Sequence, residues 1–115
     1  TESNDNSVNG EITVGYIPEG YELVNRQVYS KNIVVDYKNS DDSLIKIIKS
    51  SSANKVEFDT ETGSVEYINT NLNSYTYYVD ENDCGYLVWN KNDYVYQTYG
   101  FISKDELLKI AETVK

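Results

Sequence analysis

The stretch from Tyr86 to Val114 places the strongest constraint on how this chain can fold. Two runs of β-forming residues flank the turn-forming sequence Asn-Lys-Asn-Asp, and a segment with helical spacing follows them. The first run contains Trp89, the only tryptophan of the chain. Such runs around turn residues predict a β-hairpin, and apolar residues at a spacing of three to four predict an amphipathic helix. We therefore expect two strands and a helix to form the densest part of the core.

The predicted helix begins after Ser103. Together with Glu106, three residues later, Ser103 forms a Ser-x-x-Glu capping box, which satisfies amide groups that a first helical turn leaves unpaired. The apolar residues that follow fall on one stripe of the helix: Leu107, Leu108, Ile110, Ala111 and Val114. Burial of each larger side chain is worth about 1.5–3 kcal/mol, so the helix is expected to pack on the sheet, with its stripe facing Leu87 and Trp89.

Short β-forming runs recur through the rest of the chain, with brief polar turns between them. They are centred on Leu23 and Val28, residues 33–37, residues 44–48, Val56 and Phe58, Val65 and Tyr67, and residues 75–79. Brief connections favour antiparallel pairing of successive strands. The predicted fold class is α+β: an antiparallel meander sheet of about six to eight strands with a C-terminal helix packed on one face. Residues 11–115 are predicted to form this single domain, and the polar residues 1–10 a flexible leader or linker.

The composition disfavours several classes of function. The chain has no histidine and one cysteine, Cys84, which removes Ser-His and Cys-His nucleophile pairs, imidazole metal ligands and multi-thiolate zinc sites. Ten basic and nineteen acidic residues leave a net charge of −9, which disfavours nucleic acid and anionic membrane surfaces as partners. We therefore expect no enzymatic activity, no catalytic residues, no cofactor and no metal.

Pairs of carboxylates are the remaining candidates for acid–base chemistry. They are Asp59 with Glu61, Asp80 with Asp83, and Asp105 with Glu106. Glycosidase-like hydrolysis requires two carboxyl groups in a cleft with different pKa values. These pairs lie in predicted turns or at the predicted start of the helix, so solvated surface charge is the favoured interpretation.

Tyrosine is the most unusual feature of the composition, with 12 residues. Tyr75, Tyr77, Tyr94 and Tyr96 alternate along two predicted strands and are expected to form an aromatic ladder across the sheet. Such a ladder can stack on sugar rings or seat a peptide, but cross-strand tyrosines also stabilise ordinary sheets, and we favour that structural role. These four residues are the candidates for contact with a ligand or partner.

Three segments resemble a known family. They are Ile17-Pro18-Glu19-Gly20-Tyr21, the strand Tyr86-Leu87-Val88-Trp89 with its partner through Tyr94 and Tyr96, and the closing segment from Gly100 to Ala111. In these features the chain resembles domain of unknown function 4367 and, more distantly, the C-terminal domain of periplasmic sigma-regulatory proteins. The resemblance implies an antiparallel sheet with a C-terminal helix and no known catalytic residues. It also implies the extracytoplasmic, C-terminal part of Gram-positive membrane proteins, including anti-sigma-factor-like regulators and lipoproteins.

Three hypotheses of function follow. The first is a non-enzymatic extracytoplasmic binding or sensory domain of a membrane-anchored protein or lipoprotein, regulatory in the manner of anti-sigma factors, which contacts a protein or cell-envelope ligand. The second is a carrier that holds a small molecule or lipid in a cavity between sheet and helix. The third is a carboxylate-driven hydrolase, which requires two of the carboxylates above to face each other.

Overall fold

The computed structural model describes residues 12–30, 32–51, 64–71, 73–91 and 94–114. These residues contain seven strands followed by one helix. The elements are β1 Glu22–Val28, β2 Asn32–Lys38, β3 Leu44–Ser51, β4 Ser64–Asn69, β5 Ser74–Val79, β6 Gly85–Lys91, β7 Tyr94–Gly100 and α1 Lys104–Thr113. No helix among the described residues combines the length and apolar character that crossing a membrane requires.

The strands form one sheet in the order β1-β2-β3-β7-β6-β5-β4, and every neighbouring pair is antiparallel. The predicted fold class, an α+β antiparallel sheet with a C-terminal helix, is confirmed. One pairing differs from the expected meander, because β3 pairs with β7, which is not its neighbour in the chain. Both β3 and β7 bury side chains on their two faces, so they stabilise the sheet most when they lie together at its centre. The predicted strand around Val56 and Phe58 lies outside the described residues.

The hydrophobic core lies between the sheet and α1, which packs on β6 and β7. The sheet contributes fully buried hydrophobic side chains from four strands to this layer: Ile33, Ile45, Ile47, Tyr75, Leu87 and Trp89. The helix contributes Leu107, Ile110 and Ala111, and Val114 follows at its end. The predicted apolar stripe and its contact with Leu87 and Trp89 are therefore confirmed, with Leu108 partly buried at its margin.

Of the two hydrogen bonds that a capping box contains, the structure shows the one accepted by the Ser103 side chain. Ser103 Oγ accepts a hydrogen bond from the Glu106 amide at 3.2 Å. The Glu106 carboxylate, however, accepts a hydrogen bond from the Tyr16 hydroxyl at 2.7 Å. The Tyr16 amide also donates to Thr113 Oγ1 at 3.0 Å, near the other end of the helix. These two bonds hold the N-terminal segment, residues 12–21, against α1.

Candidate binding surface on the far face of the sheet

The four tyrosines predicted as contact residues lie on the side of the sheet that faces α1. Tyr75 meets the edge of Trp89 at 5.4 Å between ring centroids, and Tyr96 stacks on the other side of Trp89 at 5.4 Å with an interplanar angle of 8°. Tyr94 meets Tyr96 edge-on at 6.5 Å. Three of the four predicted members, Tyr75, Tyr96 and Tyr94, therefore lie in one series of ring contacts with Trp89 between them, whereas Tyr77 lies opposite Leu87.

Burial divides these four residues into two pairs. Tyr75 and Tyr96 are 1% and 3% exposed and belong to the core, where they stabilise the packing of the tryptophan. Tyr77 and Tyr94 are partly buried and keep some surface at the margin of the core. The Lys49 ammonium lies 4.4 Å from the Tyr94 ring centroid, a cation–π contact. A ligand contact therefore remains a prediction for Tyr77 and Tyr94, whereas Tyr75 and Tyr96 present almost no surface to a ligand.

A second row of tyrosines crosses the far face of the sheet, which is the face turned away from α1. Tyr78, Tyr86 and Tyr99 lie opposite one another on β5, β6 and β7. Tyr86 lies 4.8 Å from Tyr99 and 5.9 Å from Tyr78 between ring centroids, with interplanar angles of 33° and 50°. Tyr86 and Tyr99 are half-buried, whereas Tyr78 is buried. We call these three residues the far-face tyrosine row.

Polar residues continue this row towards β1. Lys46 lies opposite Tyr99 and next to Asp36, and its ammonium is 3.8 Å from an Asp36 carboxylate oxygen. Asp36 also accepts a hydrogen bond from the Asn25 side-chain amide at 3.1 Å. One line across the far face thus carries aromatic rings at one end and a paired charge and an amide at the other.

A parallel row one step along the strands widens the surface with small and apolar side chains. Its members lie opposite one another in the register of the sheet: Val34, Ile48, Gln97, Val88, Thr76 and Tyr67. All are half-buried except Tyr67, which is 77% exposed. Side-chain hydroxyls, methyl groups and aromatic rings dominate the two rows, so this face is suited to an extended ligand of low charge.

Burial keeps the central tyrosine of the row in its neutral form. It raises the pKa of Tyr86 to about 12, and the neighbouring Cys84 and the Asp80 carboxylate act in the same direction. The Tyr86 hydroxyl lies 3.4 Å from Asp80 Oδ2 as a weak hydrogen bond. The Cys84 thiol is only 6% exposed, and burial raises its pKa, which opposes formation of a reactive thiolate. The Cys84 thiol at this end of the surface is therefore poorly suited to nucleophilic chemistry.

Two of the carboxylates considered for hydrolysis, Asp80 and Glu106, are engaged in local hydrogen bonds, whereas Asp83 and Asp105 are exposed. Asp80 Oδ1 accepts hydrogen bonds from the Asn82 and Cys84 amides at 2.8 and 3.0 Å and so shapes the β5–β6 turn. Glu106 accepts hydrogen bonds from Tyr16 and Lys109, which hold the pKa of its carboxyl below the ordinary value. Asp59 and Glu61 lie outside the described residues. Within the described ranges, no group of three His, Cys, Asp or Glu side chains is arranged to hold a metal ion.

The far-face tyrosine row was missed by the sequence analysis, although a signal for it existed. Tyr78 directly follows Tyr77, Tyr86 precedes Leu87 and Tyr99 follows Thr98, so alternation places all three on the face opposite the core. Only the register between strands brings them into one row. Alternation within each strand does not specify how neighbouring strands are aligned, so it does not predict the row.

These features define an α+β domain in which one face of an antiparallel sheet is covered by a C-terminal helix and the other carries an aromatic row. The model of domain of unknown function 4367 matches residues 11–114, so the chain belongs to that family. The predicted resemblance to this family is thereby confirmed. Neither the curated proteins nor the solved structures gave a match.

Proposed function

We propose that this chain is a non-enzymatic binding or sensory domain whose far face contacts a protein or cell-envelope ligand. The observation that carries the proposal is the tilted ring contact of Tyr86 with Tyr99, at 4.8 Å between centroids, which places two half-buried rings in the middle of a sheet surface. Aromatic rings held by their neighbours lose little conformational entropy on binding, which is why tyrosine is enriched in binding surfaces. These aromatic rings are suited to stacking on a sugar ring or to seating an extended peptide.

Charge restricts the ligands that fit. The chain carries a net charge of −9, so strongly anionic polymers are repelled over the distance of a Debye length. A neutral glycan strand and a neutral or basic peptide are both compatible with the far-face rows. Of these, the glycan is the ligand we test first, since it combines low charge with flat ring faces.

The proposed location is extracytoplasmic, in a membrane-anchored protein or lipoprotein with a regulatory, anti-sigma-factor-like role. This part of the proposal rests on what membership of the family implies, and the composition is compatible with it. Protease added to intact cells after removal of the wall is expected to cleave the domain in the full-length protein. Protection of the domain until the membrane is opened would contradict this location.

Co-sedimentation with purified, insoluble cell-wall glycan from which anionic polymers have been stripped tests the binding role. Tyr86→Ala and Tyr99→Ala are each expected to weaken binding by about 5- to 150-fold, the loss expected from one stacking contact of 1–3 kcal/mol. Phe101→Ala is the matched control, because Phe101 is a 59% exposed aromatic residue outside both far-face rows. Equal binding by all three variants, with unchanged thermal stability, would contradict the role of the tyrosine row.

The carrier hypothesis finds less support in the packing. Leu87, Leu107 and Ile110 expose no surface, so side chains fill the space around them between α1 and the sheet. A carrier needs a cavity in this layer. The far face therefore remains the stronger basis for a function.

A further inference from the structure

Strand β1 is an edge of the sheet with unusual exposure. Within the described parts of the chain it pairs only with β2, and all seven of its residues are exposed. Leu23, Val24 and Val28 are 53–62% exposed, and Tyr29, directly after the strand, is 51% exposed. Sheet edges that stay unpaired are normally protected by lysine, proline or a covering element. β1 contains neither lysine nor proline.

The opposite edge of the sheet is protected in the usual way. Lys104 at the start of α1 reaches Glu66 on β4, with its ammonium 3.0 and 3.1 Å from the two carboxylate oxygens. A charged pair at this edge opposes the approach of another strand. The two edges of the same sheet therefore differ, and β1 is the one suited to strand pairing.

The hydrogen bonding of the β1–β2 hairpin determines which backbone groups of β1 point outward. The Tyr29 amide donates to the Asn32 carbonyl at 2.7 Å, so these two residues form a hydrogen-bonded pair. Hydrogen-bonded and non-hydrogen-bonded pairs alternate along an antiparallel ladder. Gln27 and Asn25 therefore also direct their backbone groups towards β2, in register with Val34 and Asp36. The N–H and C=O groups of Arg26 and Val28 point away from the sheet.

We propose that this outer edge pairs antiparallel with the same edge of a second copy of the chain, with the two Gln27 residues opposite each other. In that register Arg26 lies opposite Val28 of the second copy and Val28 opposite its Arg26, so the outward groups form about four backbone hydrogen bonds. If the two Arg26 residues lay opposite each other instead, their like charges would meet. If the centre of the pairing moved to Asn25, the bulge between Leu23 and Asn25 would interrupt the new ladder.

Charge also favours a second copy at this place. The whole chain carries −9, but residues 22–30 contain one acidic and one basic residue, Glu22 and Arg26, and are neutral together. Two copies therefore meet through a locally neutral strand with exposed apolar side chains. The resulting interface is isologous, with its two-fold axis normal to the sheet. The two far faces then point in the same direction, which would add avidity for a repeating ligand if the proposed function holds.

Amide hydrogen exchange across a concentration series tests the pairing without depending on the proposed ligand. The Asn25 and Gln27 amides are expected to be protected at every concentration. The Arg26 and Val28 amides should exchange freely in dilute protein and become protected as the concentration rises from roughly 10 μM to 1 mM, the range of a weak interface. Sedimentation should show a monomer–dimer equilibrium over the same range.

Val28→Pro is the decisive variant, because it removes an outward-pointing amide while the hydrogen bonds of Gln27 and Tyr29 to β2 remain. It is expected to weaken dimerisation at least about 10-fold, and Val28→Lys should do the same through charge at the edge. Tyr67→Lys, on the other edge strand, is the matched control and should dimerise like the unmodified protein. The proposal is overturned by a monomer at 1 mM, roughly the upper limit of that series, by a dimer whose Arg26 and Val28 amides still exchange freely, or by unchanged dimerisation of Val28→Pro.

Discussion

The Trp89 indole and the Tyr96 ring stack face to face, with their centroids 5.4 Å apart and their planes 8° from parallel. Trp89 is 1% exposed, and Tyr75 closes its other side edge-on. The hairpin of β6 and β7 is thus joined through aromatic contacts to β5 and, through Leu107, to α1.

Trp89→Ala should lower the free energy of unfolding by about 3–5 kcal/mol, because it leaves a large cavity among side chains that cannot close around it. Urea titration followed by circular dichroism measures the change. Trp89→Phe should cost clearly less, since it keeps a ring between Tyr75 and Tyr96. Near wild-type stability of Trp89→Ala would show that the contact contributes little.

Two strand glycines should respond differently to alanine. A Cβ at Gly100 would lie 2.9 Å from the Leu44 carbonyl oxygen, which is backbone, whereas one at Gly85 would meet the end of the Leu107 side chain at 2.9 Å. A side-chain terminus can rotate away, but a carbonyl in the sheet cannot. Gly100→Ala should therefore be the more destabilising substitution, by an amount within the 1–3 kcal/mol typical of overpacking. Thermal melts of both variants compare them, and equal melting temperatures would contradict the prediction.

The Tyr16–Glu106 hydrogen bond should be visible in the titration of Glu106. This bond is the largest cause that lowers the pKa of the Glu106 carboxyl, with Lys109 contributing less. Tyr16→Phe should raise that pKa towards its ordinary value, and Lys109→Ala should raise it by a smaller amount, as measured by carboxyl carbon chemical shifts. The native state binds the proton of Glu106 less readily than the unfolded state, so this stabilisation is present above the unfolded pKa and is lost as the pH falls through the folded one. In Tyr16→Phe, the free energy of unfolding should therefore fall less steeply as the pH is lowered through this range.

The buried position of Tyr86 predicts a response to alkali. Burial and nearby acidic groups raise its pKa to about 12, above the ordinary value of 10.0, so between these pH values the unfolded state releases the proton while the native state keeps it. Stability should consequently fall as the pH rises through this interval. Tyr86→Phe should reduce that slope, measured by denaturant titrations at pH values in this range. A slope identical to that of the unmodified protein would show that other groups cause the alkaline loss.

Local patterns were sufficient to predict the class of fold. The β-forming run at residues 33–37 predicted β2, and the stripe from Leu107 to Val114 placed α1 on the sheet. The hydroxyl of Ser103 was correctly predicted to cap the helix. These predictions depend on neighbours a few residues apart in the chain, and side-chain spacing expresses such contacts directly.

The tertiary structure decided the rest, because it depends on which strands pair and in what register. β7 lies beside β3 because these strands bury both faces, and this choice sends β4 to the far edge. Alternation along each strand places Tyr75 and Tyr96 on the core face and Tyr78, Tyr86 and Tyr99 on the opposite face, but only the register between strands aligned the latter three into one row. A shift of one residue would exchange the two faces, so no pattern within a single strand determines which tyrosines meet across the sheet. The sequence by itself determined the elements and their buried sides, whereas long-range pairing determined the surface available to a partner.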